Sequence, residues 1–397
     1  MLQTTPKRVI GADTIRALAT LWVFAGHVFL IEPSLLAIDS PWTRLLRPGY
    51  LGVAAFFVLS GFLLSMPYWR AFHAGEKTPG FRKYLWNRLS RIVPEFYVCV
   101  LVMALIVGAF STKWGVIQIV SCLTFTNSLL PPTYMPTWNA PLWSIGIEML
   151  FYLMLPVVAF GIFRLRSRIS VRIFLITLMG LIAVGQWLLL QAAPQIETAI
   201  GNISLFSAGS SSTVKNAVVL FAHFLIGMLA ADIYLSQPIQ STTKRFNRYD
   251  ALVIAAASII GVSLLTQTSL PGLAHMHYQW PTFPVLIGVL LVSLPKSAWC
   301  GRWIESRFMT TTATLSYGFY IWHIPILTGL KHLWPTTTDG LIMFLPAFVL
   351  VALLSTYTAA WLSYRLVGKP ALARMRRHTT NKQRRPAPST IPRRVAA

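Results

Sequence analysis

The chain of 397 residues is 55% hydrophobic and only 11% charged, with a mean hydropathy of +0.60; this excludes an ordinary soluble domain and fits a polytopic membrane protein. A net charge of +23 would suit nucleic acid, but the basic residues fall between apolar runs and in the C-terminal tail, so membrane topology explains them better and no nucleic acid is expected. Cys99, Cys122 and Cys300 have neither paired nor metal-ligand spacing, so no metal site and no disulfide framework is expected.

Ten apolar segments follow one another along the chain: 14–36, 49–69, 92–110, 141–163, 173–192, 214–236, 250–267, 280–296, 311–330 and 340–364. Each can cross roughly 30 Å of hydrocarbon, the seventh and eighth being the shortest. The predicted fold is therefore all-α, with about ten transmembrane helices over residues 1–370 and a basic, disordered tail over 371–397. Lys7 and Arg8 precede the first segment, but Asp13 and Arg16 interrupt the approach and no small-residue cleavage site follows, which predicts a retained helix and not a signal peptide. The run 115–130 is too polar for a span, with Gln118, Ser121, Thr124, Thr126 and Asn127, and suits an interfacial or re-entrant element. With the N-terminus cytoplasmic, all of the 34 Lys and Arg fall inside except Arg44, Arg47, Lys113, Lys215 and Lys331. That asymmetry predicts both termini in the cytoplasm and an even number of spans.

Ionisable groups inside apolar segments are costly and mark function by default. Arg16 and His27 share the first segment. Eleven residues come close to three full turns, so both lie on one face, about 16 Å apart along the axis. A hydrogen bond from His27 to a neighbouring helix, with Arg16 reaching the headgroups, is the plain alternative. In the second segment Gly52, Ser60, Gly61 and Ser65 predict close helix approach. Arg88 and Arg91 stand one turn apart before the third, a pattern that suits phosphate as well as ordinary topological anchoring. Glu148 in the fourth lies about 10 Å below the outer end, near the level of His27, with Ser144 one turn earlier on the same face. A carboxylate at that depth could fix the His27 tautomer and stabilise its imidazolium. Tyr320 and His323 are three apart in the ninth segment, with Ser316 a turn before Tyr320.

The stretches GADTIRALATLWVFAGHVF, FFVLSGFLL, NRLSRIVP, LWSIGIEMLFYL and LSYGFYIWHIP, in that order from about residue 8 to 370, resemble the acyltransferase type 3 family of membrane O-acyltransferases. The resemblance implies a ten-helix core that takes an acyl group, usually acetyl from acetyl-CoA at the cytoplasmic side, to a carbohydrate or lipid-linked saccharide acceptor, with membrane lipids as surroundings and no bound cofactor. It places catalysis on His27 and Glu148 and donor binding on Arg16, Arg88 and Arg91. Trp143, Ser144, Tyr320 and His323 are candidate substrate-binding residues. No appended esterase-like domain is expected, and Gly368 and Lys369 stand where many members carry an acidic residue before the proline. The acceptor expected is a cell-envelope or exported polysaccharide; an antibiotic sugar, a proton-coupled transporter and an envelope scaffold are the other readings.

Overall fold

The computed structural model describes residues 9–127, 136–165, 167–199, 217–237, 245–273, 276–334 and 338–375, and among these the regular structure is helical, with no β-strand. Among the described residues thirteen α-helices follow in order: α1 Ala12–Ile31, α2 Pro41–Leu46, α3 Leu51–Ala74, α4 Phe81–Ile106, α5 Lys113–Leu123, α6 Trp143–Arg164, α7 Arg168–Ala199, α8 Ala217–Ser236, α9 Arg248–Leu265, α10 Thr282–Ser293, α11 Cys300–Ile304, α12 Arg307–Leu333 and α13 Thr338–Ser363. Every one of the ten apolar segments falls on one of these helices. Eight helices among the described residues are long and apolar enough to cross a membrane. The other two differ for opposite reasons: α10 is short, with 12 residues, whereas α12 has 27 but is diluted by threonines and by the polar residues it contributes to the site. With eleven residues, α5 is too short to span, as the polarity of run 115–130 predicts. A π-turn over Tyr364–Gly368 carries the last helix on to residue 375, past the boundary at 370 drawn from sequence; the predicted disorder of residues 376–397 lies outside the described residues.

Two helix pairings set the positions of the site residues. In the first, α1 and α12 run parallel and in register over their whole length. At their starts, Glu305 accepts from the Gly11 amide at 3.0 Å and Thr14 donates to the Ile304 carbonyl at 2.8 Å. Midway, Phe24 meets Phe319 edge to face, and at their far ends Lys331 pairs with Glu32. Gly11 is required at the turn into α1: its φ is +82°, and a side chain there would run into Leu294. In the second pairing, α3 and α8 approach backbone to backbone. A Cβ on Gly61 would lie 2.0 Å from the Phe224 carbonyl oxygen, and one on Gly227 would lie 2.0 Å from that of Val58. The small-residue reading of the second segment is borne out at Gly61 and also at Gly52, which faces the Ala19 carbonyl.

Two acidic residues that the apolar pattern conceals are buried inside helices. Asp232 of α8 accepts from His73 Nε2 at 2.8 Å and Arg172 Nε at 2.6 Å, tying α3, α7 and α8 together. Glu95 of α4 accepts from Ser363 at 2.9 Å, just before the π-turn. Both are partnered, as buried carboxylates must be.

Candidate active site

A cavity of about 240 Å3 opens between α1, α3, α4, α6 and α12. Arg16, near the start of α1, and Arg88 and Arg91, on successive turns of α4, supply three guanidinium groups to its wall, and Glu148 supplies a carboxylate. Arg16 reaches back to Asp13 at 3.5 Å. The buried Nε of Arg88 has no hydrogen-bond partner, although its guanidinium lies over the Tyr84 ring at 6.0 Å. A buried, unpaired cationic donor is unfavourable until an acceptor reaches it. Three positive groups against one negative make this wall an anion-binding surface.

Glu148 is held by two hydroxyls. Its Oε1 accepts from Ser60 of α3 at 3.1 Å and from Tyr152, one turn further along α6, at 2.7 Å. One turn back along α6 from Glu148 the Ser144 and Tyr320 hydroxyls meet at 2.7 Å, and both lie against the Pro141 carbonyl. This junction is buried and joins α6 to α12.

One turn beyond Tyr320 on α12, His323 packs edge to face against His27 of α1, with ring centroids 4.8 Å apart. The tautomers follow from the carbonyls that these rings contact. His27 Nδ1 lies 2.8 Å from the Val23 carbonyl and His323 Nδ1 lies 2.6 Å from that of Tyr320. A carbonyl only accepts, so each Nδ1 carries its proton. His323 Nε2 then bears a lone pair, and at 3.2 Å from His27 Nδ1 it shares the same N–H as an acceptor. His27 Nε2 likewise keeps its lone pair in the neutral ring. The parallel registration of α1 and α12 is what brings these two histidines to one level.

The structure therefore gathers Arg16, Arg88, Arg91, Glu148, Ser144 and Tyr320 on one cavity and places His27 and His323 together just past its Ser144–Tyr320 end. The two residues paired on depth in the sequence, His27 and Glu148, have different partners: Glu148 is held by Ser60 and Tyr152, and His27 by Val23 and His323. Trp143 is not among the lining residues; it begins α6 and packs on the main apolar core. Two hydroxyls on Glu148 went unassigned in the sequence. Tyr152 had a readable signal, four residues after Glu148 on the same helical face. Ser60 had none beyond its small size, because its partner lies on another helix.

Such an assembly, buried ionisable groups around a cavity within a bundle of apolar helices, defines a polytopic membrane protein with a chemically equipped interior. The model of the acyltransferase domain family matches residues 9–365, and the chain belongs to that family. It is 22% identical over 396 residues to the O-acetyltransferase OatA of Staphylococcus aureus, a match covering 92% of this chain and 57% of the relative. With the peptidoglycan O-acetyltransferase OatA of Listeria monocytogenes it shares 23% identity over 393 residues, covering 92% and 56%. The acyltransferase MdmB of Streptomyces mycarofaciens is 31% identical over 181 residues, 42% of this chain and 43% of that protein. The chain thus spans little more than half the length of the OatA relatives. No solved structure matches.

Proposed function

We propose that this protein is an O-acyltransferase of the bacterial cytoplasmic membrane, moving an acyl group, acetyl first among the candidates, from acyl-CoA to a hydroxyl of a cell-envelope saccharide. The observation that carries this reading is the arginine-lined cavity, with the unpartnered Arg88 Nε inside it, ending one helical turn from the histidine pair. The names of the OatA relatives, an O-acetyltransferase and a peptidoglycan O-acetyltransferase, support the acetyl group and a glycan acceptor. At about 240 Å3 the cavity is below the roughly 300–1,000 Å3 of sites that enclose a drug-sized ligand. It suits one part of a longer donor, whose remainder stays outside.

In this mechanism Arg88 and Arg91 hold donor phosphate and Arg16 lines the inward path, with Glu148 limiting the positive charge of the cavity. The thioester end lies toward Ser144 and Tyr320. The acceptor hydroxyl gives its proton to His27 Nε2 while its oxygen attacks the thioester carbonyl. As the C–S bond breaks, the CoA sulfur leaves as a thiolate and takes that proton from the imidazolium. While His27 is charged, its Nδ1–H is held by the Val23 carbonyl and the His323 lone pair. His323 is thereby the positioning residue for the base, and Trp143 acts only through packing at the start of α6.

Replacing both Arg88 and Arg91 with Lys preserves the charge that topology needs but removes the planar forks. Membrane insertion is expected to be normal, with acyl-CoA affinity lowered about tenfold or more in a direct binding measurement. Unchanged affinity would leave these residues as topological anchors. The charge asymmetry further predicts that a reporter active only outside the cytoplasm gives no signal when fused to the C-terminus; a strong signal from well-expressed fusion would overturn the even number of spans.

A further inference from the structure

A second cavity, of about 460 Å3, opens at the other end of the bundle, where α1 finishes, α3 begins and α9 ends. Its polar wall includes Asp39, Arg44, Arg47, Tyr50, Gln267 and Gln279. Asp39 is already engaged: it accepts from Arg44 Nε at 2.6 Å and from Gln267 Nε2 at 3.3 Å. Arg44 also donates to the Leu265 carbonyl at 3.1 Å, fixing the cleft between α2 and α9. Arg47 is different. It is exposed on the wall; its amide donates to the Thr43 carbonyl at 2.9 Å and its charge acts on Asp39, but its guanidinium makes no hydrogen bond or ion pair among the described residues. The cleft thus holds two guanidinium groups against one carboxylate, and that of Arg47 has no hydrogen-bonded partner among the described residues.

Its shape also suits a sugar. Tyr50, 52% exposed, stacks on Tyr278 with ring centroids 6.0 Å apart, giving a flat apolar surface beside amides and hydroxyls. Gln267, Tyr278 and Gln279 all adopt left-handed backbone conformations, with φ of 55°, 58° and 54°. Side chains rarely tolerate that region, and residues held there cluster where a ligand is gripped. Topology gives a further reason. If the arginine mouth faces the cytoplasm, this cleft faces outward, where basic residues are scarce; two of the five exceptions, Arg44 and Arg47, stand together here, so insertion does not account for them.

The cleft touches the turn of α1 that carries His27. Gly49, between Arg47 and Tyr50, packs on α1 so closely that a Cβ would lie 2.1 Å from the Trp22 carbonyl oxygen and 2.8 Å from Gly26 Cα. Gly26 is the residue before His27. We propose that this cleft docks the acceptor and that the acceptor is an anionic saccharide, its carboxylate or phosphate held by Arg47 and its ring set against Tyr50. The assignment rests on the acyl-transfer reading above for the word acceptor, but the binding itself does not.

The test uses the full chain in nanodiscs of zwitterionic lipid, with an oligogalacturonate and its fully methyl-esterified form as probes. The wild type should bind the acid about tenfold more tightly than the ester, and Arg47→Gln should remove that preference, with Arg47→Lys keeping part of it. Acetyl-CoA affinity should be the same in all three proteins. Equal affinity for acid and ester, or an Arg47→Gln variant with full preference for the acid, overturns the proposal. So does a variant that loses binding to vesicles containing anionic lipid while its saccharide binding is unchanged, since the ligand would then be a headgroup. Acid-selective binding that depends on Arg47, found together with normal acetyl-CoA binding in the Arg88/Arg91 double-lysine protein, would uphold the docking site and count only against the donor assignment.

Discussion

His27→Ala is expected to abolish acyl transfer, a loss of about 10²- to 10⁴-fold, in protein that still inserts and folds. The imidazole is only half-buried, and its contacts include one carbonyl on its own helix and one ring on the next. Removing it leaves α1 anchored at both ends, by Thr14 and Gly11 to the segment before α12 and by Glu32 to Lys331. His323→Ala separates the base from its support. It should lower kcat by about tenfold, the scale of one neutral hydrogen bond, and leave the KM for the acyl donor unchanged, because the arginine cavity is untouched. Glu148→Gln should act through the donor site, lowering the KM for the acyl donor because the cavity becomes more positive, and should reduce kcat less than His27→Ala does. Steady-state rates on purified protein resolve all three. Folded His27→Ala that transfers acyl groups at the wild-type rate would remove the histidine pair from the chemistry.

The helices were legible in the sequence because apolar length is a one-dimensional signal: each of the ten runs became a helix, to within a few residues at most ends. Arg16, Arg88, Arg91, Glu148, Ser144 and Tyr320 were legible for a related reason, since polar groups within or beside an apolar run must face the interior. What could not be read was which groups meet. Depth counted from the segment ends put His27 and Glu148 at one level, but the meeting of Ser144 with Tyr320 fixes α6 against α12, and Glu148 lies a turn to one side of that junction with His27 and His323 a turn to the other. Glu148 faces Ser60 and Tyr152, while the partner of His27 is set by the parallel packing of α1 on α12. Glu95 was hidden differently. It sits midway along α4, just after Arg88 and Arg91, where a carboxylate reads as an ordinary counter-charge, and only the tertiary fold buries it against Ser363 and Gly368. The second cleft had no periodic signature at all, being assembled from connections that converge only after α1, α3 and α9 have packed.

The largest structural effect should come from a single methyl group at Gly61 or Gly227. In a bilayer no water is expelled when helices associate, so α3 and α8 are held by close packing, which glycine permits, together with the hydrogen bonds from Trp69 to the Met228 carbonyl and from His73 to Asp232. A Cβ at Gly61 would stand 2.0 Å from a backbone carbonyl oxygen with the Phe224 Cα at 3.0 Å. Neither neighbour is a flexible side-chain tip, so the helices themselves must separate. Overpacking relieved by side-chain shifts costs about 1–3 kcal/mol, and a clash between two backbones should exceed that. Separation would also move Ser60, the residue before Gly61, away from Glu148. Gly61→Ala and Gly227→Ala are therefore expected to yield aggregated or poorly inserted protein by size-exclusion chromatography and thermal unfolding in detergent. Gly180→Ala is the control. It lies in α7 with nothing within 4 Å of the added carbon, and alanine's higher helix propensity should leave the stability equal or slightly raised. Equal melting temperatures for Gly61→Ala and the wild type would mean that α3 and α8 do not meet at these glycines.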